Sequence, residues 1–356
     1  MPDQAGQASP ATEQPQRDAR ARRRKAGAGG CLRERFRRWV AALGVATLAA
    51  CSQAPNPPLT VGMNAWVGYD PLVLARDQKR LDPRQVKVVE LASSSDTQRH
   101  FRNGLLDAAA LTLDEALRLA DEGVDLRVVA VLDASNGADV VMVDSTIQTL
   151  SDLRGASIAV EGTTVGAMVL QRLLQKAGLQ PAEVQVVNLE APQQLEALRS
   201  GRVSAAVSYE PVASALREAG FRNIFDSQQM QGEIVDVLVV RAGLLVDRAA
   251  QVDALLSAWH NGVQALRDDP GAAAKLLAPG TDLTADQYLA ALESLKTFTP
   301  EQSLAQLSGS PPPLVQNAQS MVSALRSMGL ITKTPEWPGL IAPEPAQRLQ
   351  RLEDQP

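Results

Sequence analysis

An internal duplication constrains this chain of 356 residues more than any other feature. When the chain is shifted by 98 residues, Val67-Gly68 meets Val165-Gly166, and Leu81 meets Leu179. With one later deletion, the same spacing also aligns Gly104 with Gly201. A repeat of this kind predicts two similar folding units. The sequence leaves open the alternative that two unrelated strand–helix–strand units share the same apolar spacing.

Both copies predict the same alternation of apolar strands and helices. The expected strands are Leu59–Met63, Val86–Leu91 and Ala108–Leu111 in the first copy, and Ala156–Glu161, Val184–Leu189 and Ala205–Ser208 in the second. The expected helices are 71–80, 97–102 and 114–122 in the first copy, and 164–177, 192–199 and 211–219 in the second. Strands that are apolar on both faces and alternate with helices are typical of parallel sheets covered on both sides. We therefore expect an α/β fold of two doubly wound lobes.

Two further strands predict how the chain passes between these lobes. Asp139–Val143 lies between the copies, and Ile234–Val240 follows the second copy. If Ile234–Val240 returns to the first sheet, the chain crosses twice and the crossings form a two-strand hinge beside a cleft. The predicted division is 59–135 plus 237–356 for lobe I and 136–236 for lobe II.

The chain from about residue 248 onward has a helical pattern. A first helix ends at Asp269-Pro270, and further helices are expected at 271–278, 284–295, 300–307 and 314–327. Trp259 lies on the apolar stripe of the first helix, so we predict that it is a core residue. Trp337 lies between Pro335 and Pro338 and is predicted to sit at the surface.

Residues 1–50 have the pattern of a signal peptide. Arginines from Arg33 to Arg38 precede the apolar run Trp39–Ala50, which ends in small residues. The run is too short to remain as a membrane-spanning helix. Residues 1–32 are long for the basic part of a leader, and they are read as a misassigned start or a disordered extension.

The end of the leader, Leu48-Ala-Ala-Cys51, resembles a bacterial lipobox. It predicts cleavage before Cys51 and lipidation of that residue, with residues 51–58 as a tether. The alternative is an ordinary cleavage site that happens to contain a cysteine. Ser52, rather than an aspartate, favours the outer membrane as the destination.

The rest of the sequence is acidic and lacks cysteine. The whole chain carries a net charge of −5 and residues 1–50 carry +6, so the remainder carries −11. This charge argues against binding to nucleic acid or to anionic lipid surfaces. Cys31 and Cys51 are the only cysteines, so we expect no internal disulfide, no thiol nucleophile and no cysteine metal site.

Motifs across residues 59–330 resemble those of the solute-binding components of bacterial ABC transporters, in the nitrate, sulfonate and taurine group (NitT/TauT, SsuA/THI5/NMT1-like). They are Trp66-Val-Gly-Tyr69, Ser151-Asp-Leu-Arg-Gly155, Glu161-Gly-Thr-Thr164, Gly201-Arg-Val-Ser-Ala-Ala-Val-Ser-Tyr-Glu-Pro211 and Asp236-Val-Leu-Val-Val240. The resemblance implies a type II periplasmic-binding-protein fold. It also implies a monomeric lipoprotein on the periplasmic side of the envelope, which captures a small organic molecule between its lobes and delivers it to an ABC permease and its ATPase. No cofactor is implied, and the motifs do not identify the solute.

The cleft of such a fold is lined by the carboxyl ends of strands and by the helix N-termini that follow them. This rule selects the ligand-binding candidates Asn64, Trp66, Gly68, Tyr69, Ser93, Ser94, Ser95, Thr112, Asp114, Ser135, Asp139, Thr163, Thr164, Tyr209 and Glu210. Alternative roles are lobe packing for Trp66, helix capping for the serines, the threonines and Asp114, and helix-dipole stabilisation for Glu210. Asp70, which precedes Pro71, is predicted to be the N-cap of the first helix. Trp66 and Tyr69 offer stacking faces, whereas the matching turn at Glu161–Thr164 offers hydroxyls and backbone N–H groups.

These candidates contain carboxylates but no Lys or Arg. Helix N-termini attract anions, but buried carboxylates repel them. We therefore expect a neutral, zwitterionic or cationic organic solute, such as a heterocycle stacked on Trp66 or Tyr69.

Two other functions remain open. A ligand-sensing lipoprotein that docks on a membrane signalling protein would have the same body. An enzyme similar to the fungal THI5 type, which makes a thiamine pyrimidine, uses histidine and iron. This chain has only His100 and His260, without a cysteine or second histidine near either, so we expect neither catalysis nor a metal site.

Overall fold

Two separate β-sheets organise the computed structural model, which describes residues 56–353. The strands are β1 (Leu59–Asn64), β2 (Val86–Leu91), β3 (Ala108–Thr112), β4 (Leu126–Ser135), β5 (Asp139–Val143), β6 (Ser157–Val160), β7 (Gln185–Asn188), β8 (Ala205–Tyr209), β9 (Arg222–Asp226), β10 (Val235–Arg241) and β11 (Leu295–Thr297). The predicted leader, the lipidation site Cys51 and most of the predicted tether lie outside the described residues.

The first sheet has the strand order β11-β4-β10-β3-β1-β2, and the second has the order β7-β6-β8-β5-β9. Lobe I denotes the first sheet with its helices, and lobe II denotes the second. β1 pairs in parallel with β2 and β3, as β6 does with β7 and β8. Val61 faces Ala108 in lobe I as Ile158 faces Ala205 in lobe II, so these strand pairs have the same register at an offset of 97 residues (158 − 61 and 205 − 108). At β1 the structural equivalence is therefore one residue shorter than the 98-residue shift of the sequence.

Neither sheet is wholly parallel, which corrects the sequence expectation. β10 runs antiparallel to β3 and β4, and β5 runs antiparallel to β8 and β9. Each of these strands has just crossed from the other lobe without an intervening α-helix, so it enters its sheet from the opposite end. Only a return to the same end of a sheet requires a long crossover connection.

The helices cover both sheets. They are α1 (Asp70–Asp77), α2 (Ser94–Arg102), α3 (Leu113–Asp121), α4 (Thr164–Ala177), α5 (Ala191–Arg199), α6 (Val212–Glu218), α7 (Leu244–Asp247), α8 (Ala249–Asp268), α9 (Pro270–Leu277), α10 (Ala285–Glu293), α11 (Pro300–Leu307), α12 (Pro313–Asn317), α13 (Gln319–Ser327), α14 (Trp337–Leu340) and α15 (Glu344–Glu353). The predicted α4 is confirmed to the residue. The Thr163 side chain accepts from Gly166 N at its start, and Gly178, at φ 67°, ends it in the left-handed conformation.

The two chain crossings between the lobes are tied together by one hydroxyl group. Ser227 follows β9, and its Oγ lies 2.7 Å from Ser135 Oγ at the end of β4. The same oxygen accepts a hydrogen bond of 2.7 Å from Gly137 N. Gly137 has φ +116°, a conformation that favours glycine, and it turns the chain between β4 and β5. The hinge is therefore a hydrogen-bonded pair of segments.

Helix α8 packs tightly on α1. An added Cβ at Gly262 would lie 1.8 Å from the backbone oxygen of Pro71, so only glycine permits this approach. Trp259 on the same helix is fully buried, which confirms its predicted place in the core. No helix within residues 56–353 is long and apolar enough to cross a bilayer.

The tail differs from the prediction in detail. The single helix expected at 314–327 is two helices, α12 and α13, and the structure adds β11, α14 and α15, which were not predicted. Trp337 is half-buried rather than on the surface, because it packs against the apolar cluster around Leu340.

Asp70 is not the cap of α1, as the sequence suggested. It is the first helical residue, and the cap position is Tyr69. The carboxylate of Asp70 instead accepts a hydrogen bond of 2.6 Å from the Tyr288 hydroxyl. Burial raises the pKa of Asp70 to about 7. Its role is therefore to anchor α1 to α10.

Candidate functional site

A small cavity of about 30 Å³ lies where the two lobes meet. Its walls come from strand ends and helix starts of both lobes, as the sequence rule predicts. The lining residues are Asn64, Trp66, Tyr69, Ser94, Thr112, Glu115, Asp139, Val165, Tyr209, Ile234 and Asp236. A cavity of this size holds little more than a water molecule or two. A larger groove of about 350 Å³, which includes Leu117 and Leu340, belongs to lobe I alone.

Three aromatic rings form one side of the cavity. The ring centres of Trp66 and Tyr69 are 6.4 Å apart and tilted by 57°. Tyr209 approaches Trp66 from lobe II, with ring centres 6.0 Å apart and an edge-on angle of 71°. These distances are typical of favourable aromatic pairs.

Tyr209 brings an aromatic ring from lobe II to the cavity. The duplication places Glu161–Thr164 opposite the Trp66 turn, and that segment has no aromatic residue. Tyr209 ends β8, which neighbours β6 in the sheet, so the ring arrives from the adjacent strand. Comparison of equivalent turns alone misses this contribution.

Asp133 and Asp236 form a buried pair of carboxyls behind the aromatic rings. The Tyr69 hydroxyl donates to Asp236 Oδ1 at 2.5 Å, and the Trp66 indole N–H donates to Asp133 Oδ1 at 3.3 Å. Within residues 56–353 neither Oδ2 receives an N–H or O–H donor. Burial, and then the charge of Asp133, raises the pKa of Asp236 well above its ordinary value, so the fold favours the protonated form of Asp236.

Glu115 adds a third buried carboxyl at the start of α3. Its Oε1 accepts from the Ser94 hydroxyl at 2.8 Å, and its Oε2 accepts from Thr112 N at 3.2 Å. Burial, followed by the charge of Asp114, raises the pKa of Glu115 to about 8. A nearly neutral carboxyl therefore faces the cavity from lobe I.

Asp139 contributes the acidic group of lobe II. It opens β5 directly after the hinge, and its backbone N–H donates to Ser135 Oγ at 3.1 Å. Asp139 is only 6% exposed, and its Oδ2 has no hydrogen-bond partner among the described residues. Burial raises the pKa of Asp139 to about 6. This carboxylate is the one most readily ionised near neutral pH.

Hydrogen bonds join the lobes beside the cavity. Glu161 of lobe II accepts from Ser95 N of lobe I at 2.8 Å, and its other oxygen accepts from the Tyr209 hydroxyl at 3.1 Å. The Ser95 hydroxyl also donates to Glu190 of lobe II at 3.3 Å. These hydrogen bonds of Ser95 with Glu161 and Glu190 hold the two lobes together, and we call them the Ser95 latch.

Gly68 allows the Trp66 and Asp133 side chains to meet. An added Cβ at Gly68 would lie 2.3 Å from Asp133 Oδ2 and 2.4 Å from Trp66 Nε1. No real Cβ makes such contacts, so any side chain here must displace one or both groups. Gly68 shapes the wall of the cavity without lining it.

The structure brings part of the predicted residue set to the cavity: Asn64, Trp66, Tyr69, Ser94, Thr112, Asp139 and Tyr209. The other predicted residues do not line it: Gly68, Ser93, Ser95, Asp114, Ser135, Thr163, Thr164 and Glu210. Ligand contact by any of them remains a prediction.

Several of these surrounding residues have visible local roles. Ser93 and Thr163 cap α2 and α4, and Ser135 belongs to the hinge. Glu210 accepts from Arg217 Nη1 at 2.5 Å and from Ser214 N at 3.1 Å, so its carboxylate is engaged by its own helix start. Arg217, which pairs with Glu210, does not line the cavity.

Sequence reasoning missed three acidic residues of the site. Asp133 and Asp236 each lie in an apolar strand, and Glu115 lies three residues after Thr112, where it reads as an ordinary partner in a capping box. Asp133 and Asp236 could have been identified as lone carboxylates in otherwise apolar strands, because burial of an acid costs free energy unless it is paired or hydrogen-bonded.

Neither histidine is part of this site. His100 lies on α2, where its Nδ1 is 2.8 Å from Asp96 O, and His260 lies on α8; neither lines the cavity. Within residues 56–353 no group of three or more His, Cys, Asp or Glu is arranged to hold a metal ion.

Comparisons with known proteins place this geometry in context. A family model described as the NMT1-like family matches residues 52–278. The chain is 26% identical over 195 residues to an aliphatic sulfonates-binding protein of Escherichia coli (strain K12). That match covers 53% of this chain and 60% of the relative, which is less than two thirds of the relative's length.

Two solved structures share the architecture. The alkanesulfonate-binding protein SsuA from Xanthomonas axonopodis pv. citri, bound to MOPS, aligns with a TM-score of 0.69 and 19% identity, over 82% of this chain and 100% of that one. The desulfurization enzyme DSZB aligns with a TM-score of 0.62 and 19% identity, over 83% of this chain and 99% of the enzyme. At such identities the likeness shows the fold alone.

Proposed function

Because the chain belongs to the NMT1-like family, we propose that it is an extracytoplasmic solute-binding protein, which captures a small organic molecule between its lobes and delivers it to an ABC permease. One observation carries the proposal: Trp66 of lobe I and Tyr209 of lobe II meet in one wall of the cavity, with their ring centres 6.0 Å apart. Apolar faces with a few convergent polar groups are the usual features of a small-molecule site.

The family expected from the sequence motifs is confirmed, and so is the expected type II periplasmic-binding-protein fold with its two lobes and two-strand hinge. The lobe division at 59–135 plus 237–356 and at 136–236 is part of the proposal. So are the individual ligand contacts, because a family model identifies no contact residue.

The proposed mechanism is capture by closure. Sites for small molecules commonly measure about 300–1,000 Å³, so a cavity of about 30 Å³ must open before a solute can enter. Opening breaks the Ser95 latch and separates Tyr209 from Trp66. A solute that contacts both lobes at once favours the closed form, and the permease then recognises that form.

The proposed location follows from the leader. Cleavage before Cys51 would leave a lipid-anchored protein on the periplasmic side, with the outer membrane favoured by Ser52. Its partners would be the solute, the permease and the permease's ATPase. A sensor role, in which the closed form docks on a membrane signalling protein, would use the same closure; neighbouring permease and ATPase genes would favour transport.

A catalytic role is the competing function, and the likeness to DSZB in fold is the observation that favours it. We propose binding without catalysis, since the sequence relative is a binding protein and no described lining residue is a His or Cys. Each ligand found should therefore be recovered chemically unchanged after incubation with the protein.

The test of the proposed function is a thermal-shift screen of the purified protein against a metabolite library. Hits should then be measured by titration calorimetry and by small-angle X-ray scattering. A true solute raises the melting temperature, binds with one-to-one stoichiometry and reduces the radius of gyration. If no compound does so, capture between the lobes is the wrong function.

A further inference from the structure

We propose that the solute is a small organic cation, whose charged group lies against Asp139 and Asp236 and whose apolar part lies among Trp66, Tyr69 and Tyr209. This inference rests on the proposed function, since it names the chemical class that the same cavity selects. It narrows the expectation from the sequence, which leaves neutral and zwitterionic solutes open.

The acidic composition of the lining, without a basic residue, is the first observation. Glu115, Asp139 and Asp236 line it, and none of the described lining residues is a Lys or Arg. Asp133 and Glu161 lie directly behind this lining. An anion placed here would face several carboxyls with no basic side chain to offset them, and an unpaired buried charge is strongly destabilising.

The direction of the hydrogen bonds is the second and independent observation. Donors that usually bind an anion are already used by carboxyl oxygens: Tyr69 by Asp236, Tyr209 by Glu161, Ser94 by Glu115 and Trp66 by Asp133. Among the lining hydroxyls, only Thr112 Oγ1 has no partner within residues 56–353, so carboxyl acceptors outnumber free hydroxyl donors in the cavity. A group with N–H donors, such as an ammonium or amidinium, complements such a surface.

Unpartnered oxygens mark where those donors would bind. Within residues 56–353 neither Asp139 Oδ2 nor Asp236 Oδ2 accepts an N–H or hydroxyl donor, although the two side chains are 6% and 1% exposed. Asp236 also has a carboxyl–carboxyl contact with Asp133. Buried polar atoms are nearly always satisfied, so each of these oxygens calls for a partner. The two oxygens lie on opposite lobes, so one cationic group between them would join lobe II to lobe I.

The aromatic rings are the third observation. Ring faces attract cations through their quadrupole, and the attraction is stronger when the site is dry. Tyr69 and Tyr209 remain neutral, because burial and then the nearby carboxylates raise their pKa well above the ordinary value. A metal cation is disfavoured, because within residues 56–353 no group of three or more His, Cys, Asp or Glu is arranged to hold one.

The test uses probes that share a ring and differ only in charge: benzylamine, benzyl alcohol and phenylmethanesulfonate. Titration calorimetry on the purified protein should show benzylamine binding at least tenfold more tightly than either of the others. An aliphatic set of butylamine, butanol and butanesulfonate separates the charge requirement from the aromatic contribution.

Variants assign the effect to the cavity. Asp139→Asn and Asp236→Asn should each weaken amine binding at least tenfold and leave the alcohol unchanged. Glu196→Gln, which removes an exposed carboxylate on α5, should bind amines like the wild type. Thermal unfolding of each variant shows whether a loss reflects misfolding, and an unfolded Asp236→Asn leaves Asp139→Asn as the deciding variant.

The outcomes separate the two proposals. If the sulfonates or alcohols bind more tightly than the amines, the solute is not a cation, but interlobe capture stands. If the amines bind and the Asn variants bind them equally well, the assignment to this cavity is wrong. If neither these probes nor any library compound binds, the proposed function fails and this inference fails with it.

Discussion

Asp133 and Asp236 lie directly opposite each other on the antiparallel strands β4 and β10, and both side chains are almost completely buried. Like charges placed opposite each other across a ladder are destabilising. The pair can persist only if one carboxyl keeps its proton or if a cation lies beside it. The same pair accepts the hydrogen bonds of Tyr69 and Trp66. These two carboxyls therefore both destabilise the fold and hold two of the aromatic side chains of the cavity in position.

This pair predicts that the protein becomes more stable as the pH falls from 8 to about 5. A raised pKa means that the folded state holds the proton of Asp236 more tightly than the unfolded chain does. Its stabilising contribution is therefore complete below the unfolded pKa of about 3.9 and is lost as the pH rises toward the higher folded value. Asp236→Asn removes this titration and should unfold with a shallower pH dependence.

Thermal unfolding across this pH range measures the effect. At pH 8, Asp236→Asn should be more stable than the wild type by on the order of 1–3 kcal/mol, a few degrees in melting temperature. Glu196→Gln should retain the wild-type pH dependence. A variant that is less stable than the wild type at pH 8 would mean that Asp236 is favourably ionised in the fold.

The duplication and the local signals predict most of the lobes. The start of α4 at Thr163 and its end at Gly178 could be predicted, because helix capping and left-handed termination depend on the local sequence. Asp133 and Asp236 were missed because their pairing depends on the register of two strands that are about a hundred residues apart. Tyr209 was placed in the site, but its contact with Trp66 depends on closure of the lobes, which no local pattern contains.

Trp66 and Trp259 should separate binding from stability. Trp259 is fully buried in lobe I, so Trp259→Ala should cost about 3–5 kcal/mol of stability while leaving affinity unchanged in the folded fraction. Trp66 is itself 6% exposed and hydrogen-bonded to Asp133, so Trp66→Ala affects folding as well as binding. Trp66→Phe is the cleaner variant: it keeps a ring, loses the N–H donor, and should weaken binding several-fold. Calorimetry measures the affinity of Trp66→Phe and Trp259→Ala, and thermal unfolding measures their stability. If both variants lost affinity and stability to the same extent, binding and stability would not be separable in this way.

Gly68→Ala should reduce binding although Gly68 does not line the cavity. The new Cβ would overlap Asp133 Oδ2 and Trp66 Nε1, and relief of that overlap must move a wall of the site. Overpacking of this kind costs about 1–3 kcal/mol. Gly339→Ala is the matched control, because no atom lies within 4 Å of its added Cβ. Equal melting temperatures and affinities for the two variants would show that the Gly68 wall adapts freely.

Glu161→Ala should shift the protein toward an open form. The change removes the carboxylate that accepts hydrogen bonds from Ser95 N and from the Tyr209 hydroxyl. The Ser95 latch then keeps only the hydrogen bond from Ser95 to Glu190. Small-angle scattering without added solute should show a larger radius of gyration than in the wild type. Glu196→Ala, on the outer surface of the same lobe, should not change it. An unchanged radius in Glu161→Ala would mean that other contacts hold the lobes together.

Binding of an amine should release protons and should strengthen as the pH rises from about 5 to 8. The carboxyls that face the cavity are partly protonated in this range, because burial raises the pKa of Asp139 to about 6 and that of Glu115 to about 8. Asp114 and Glu161 face Glu115 and keep its pKa high, and no described Lys or Arg in the lining lowers it. A cation favours the ionised carboxyls, so it must displace their protons, and this costs affinity wherever they are protonated.

Calorimetry of benzylamine binding in two buffers of different ionisation enthalpy counts the protons released. We expect release at pH 6 and pH 7 and a smaller release above pH 8, with affinity that increases over the same range. Asp139→Asn should abolish the part of this dependence near pH 6, whereas Glu196→Gln should not alter it. If protons were taken up on binding instead of released, the charged group of the solute would not lie against these carboxyls.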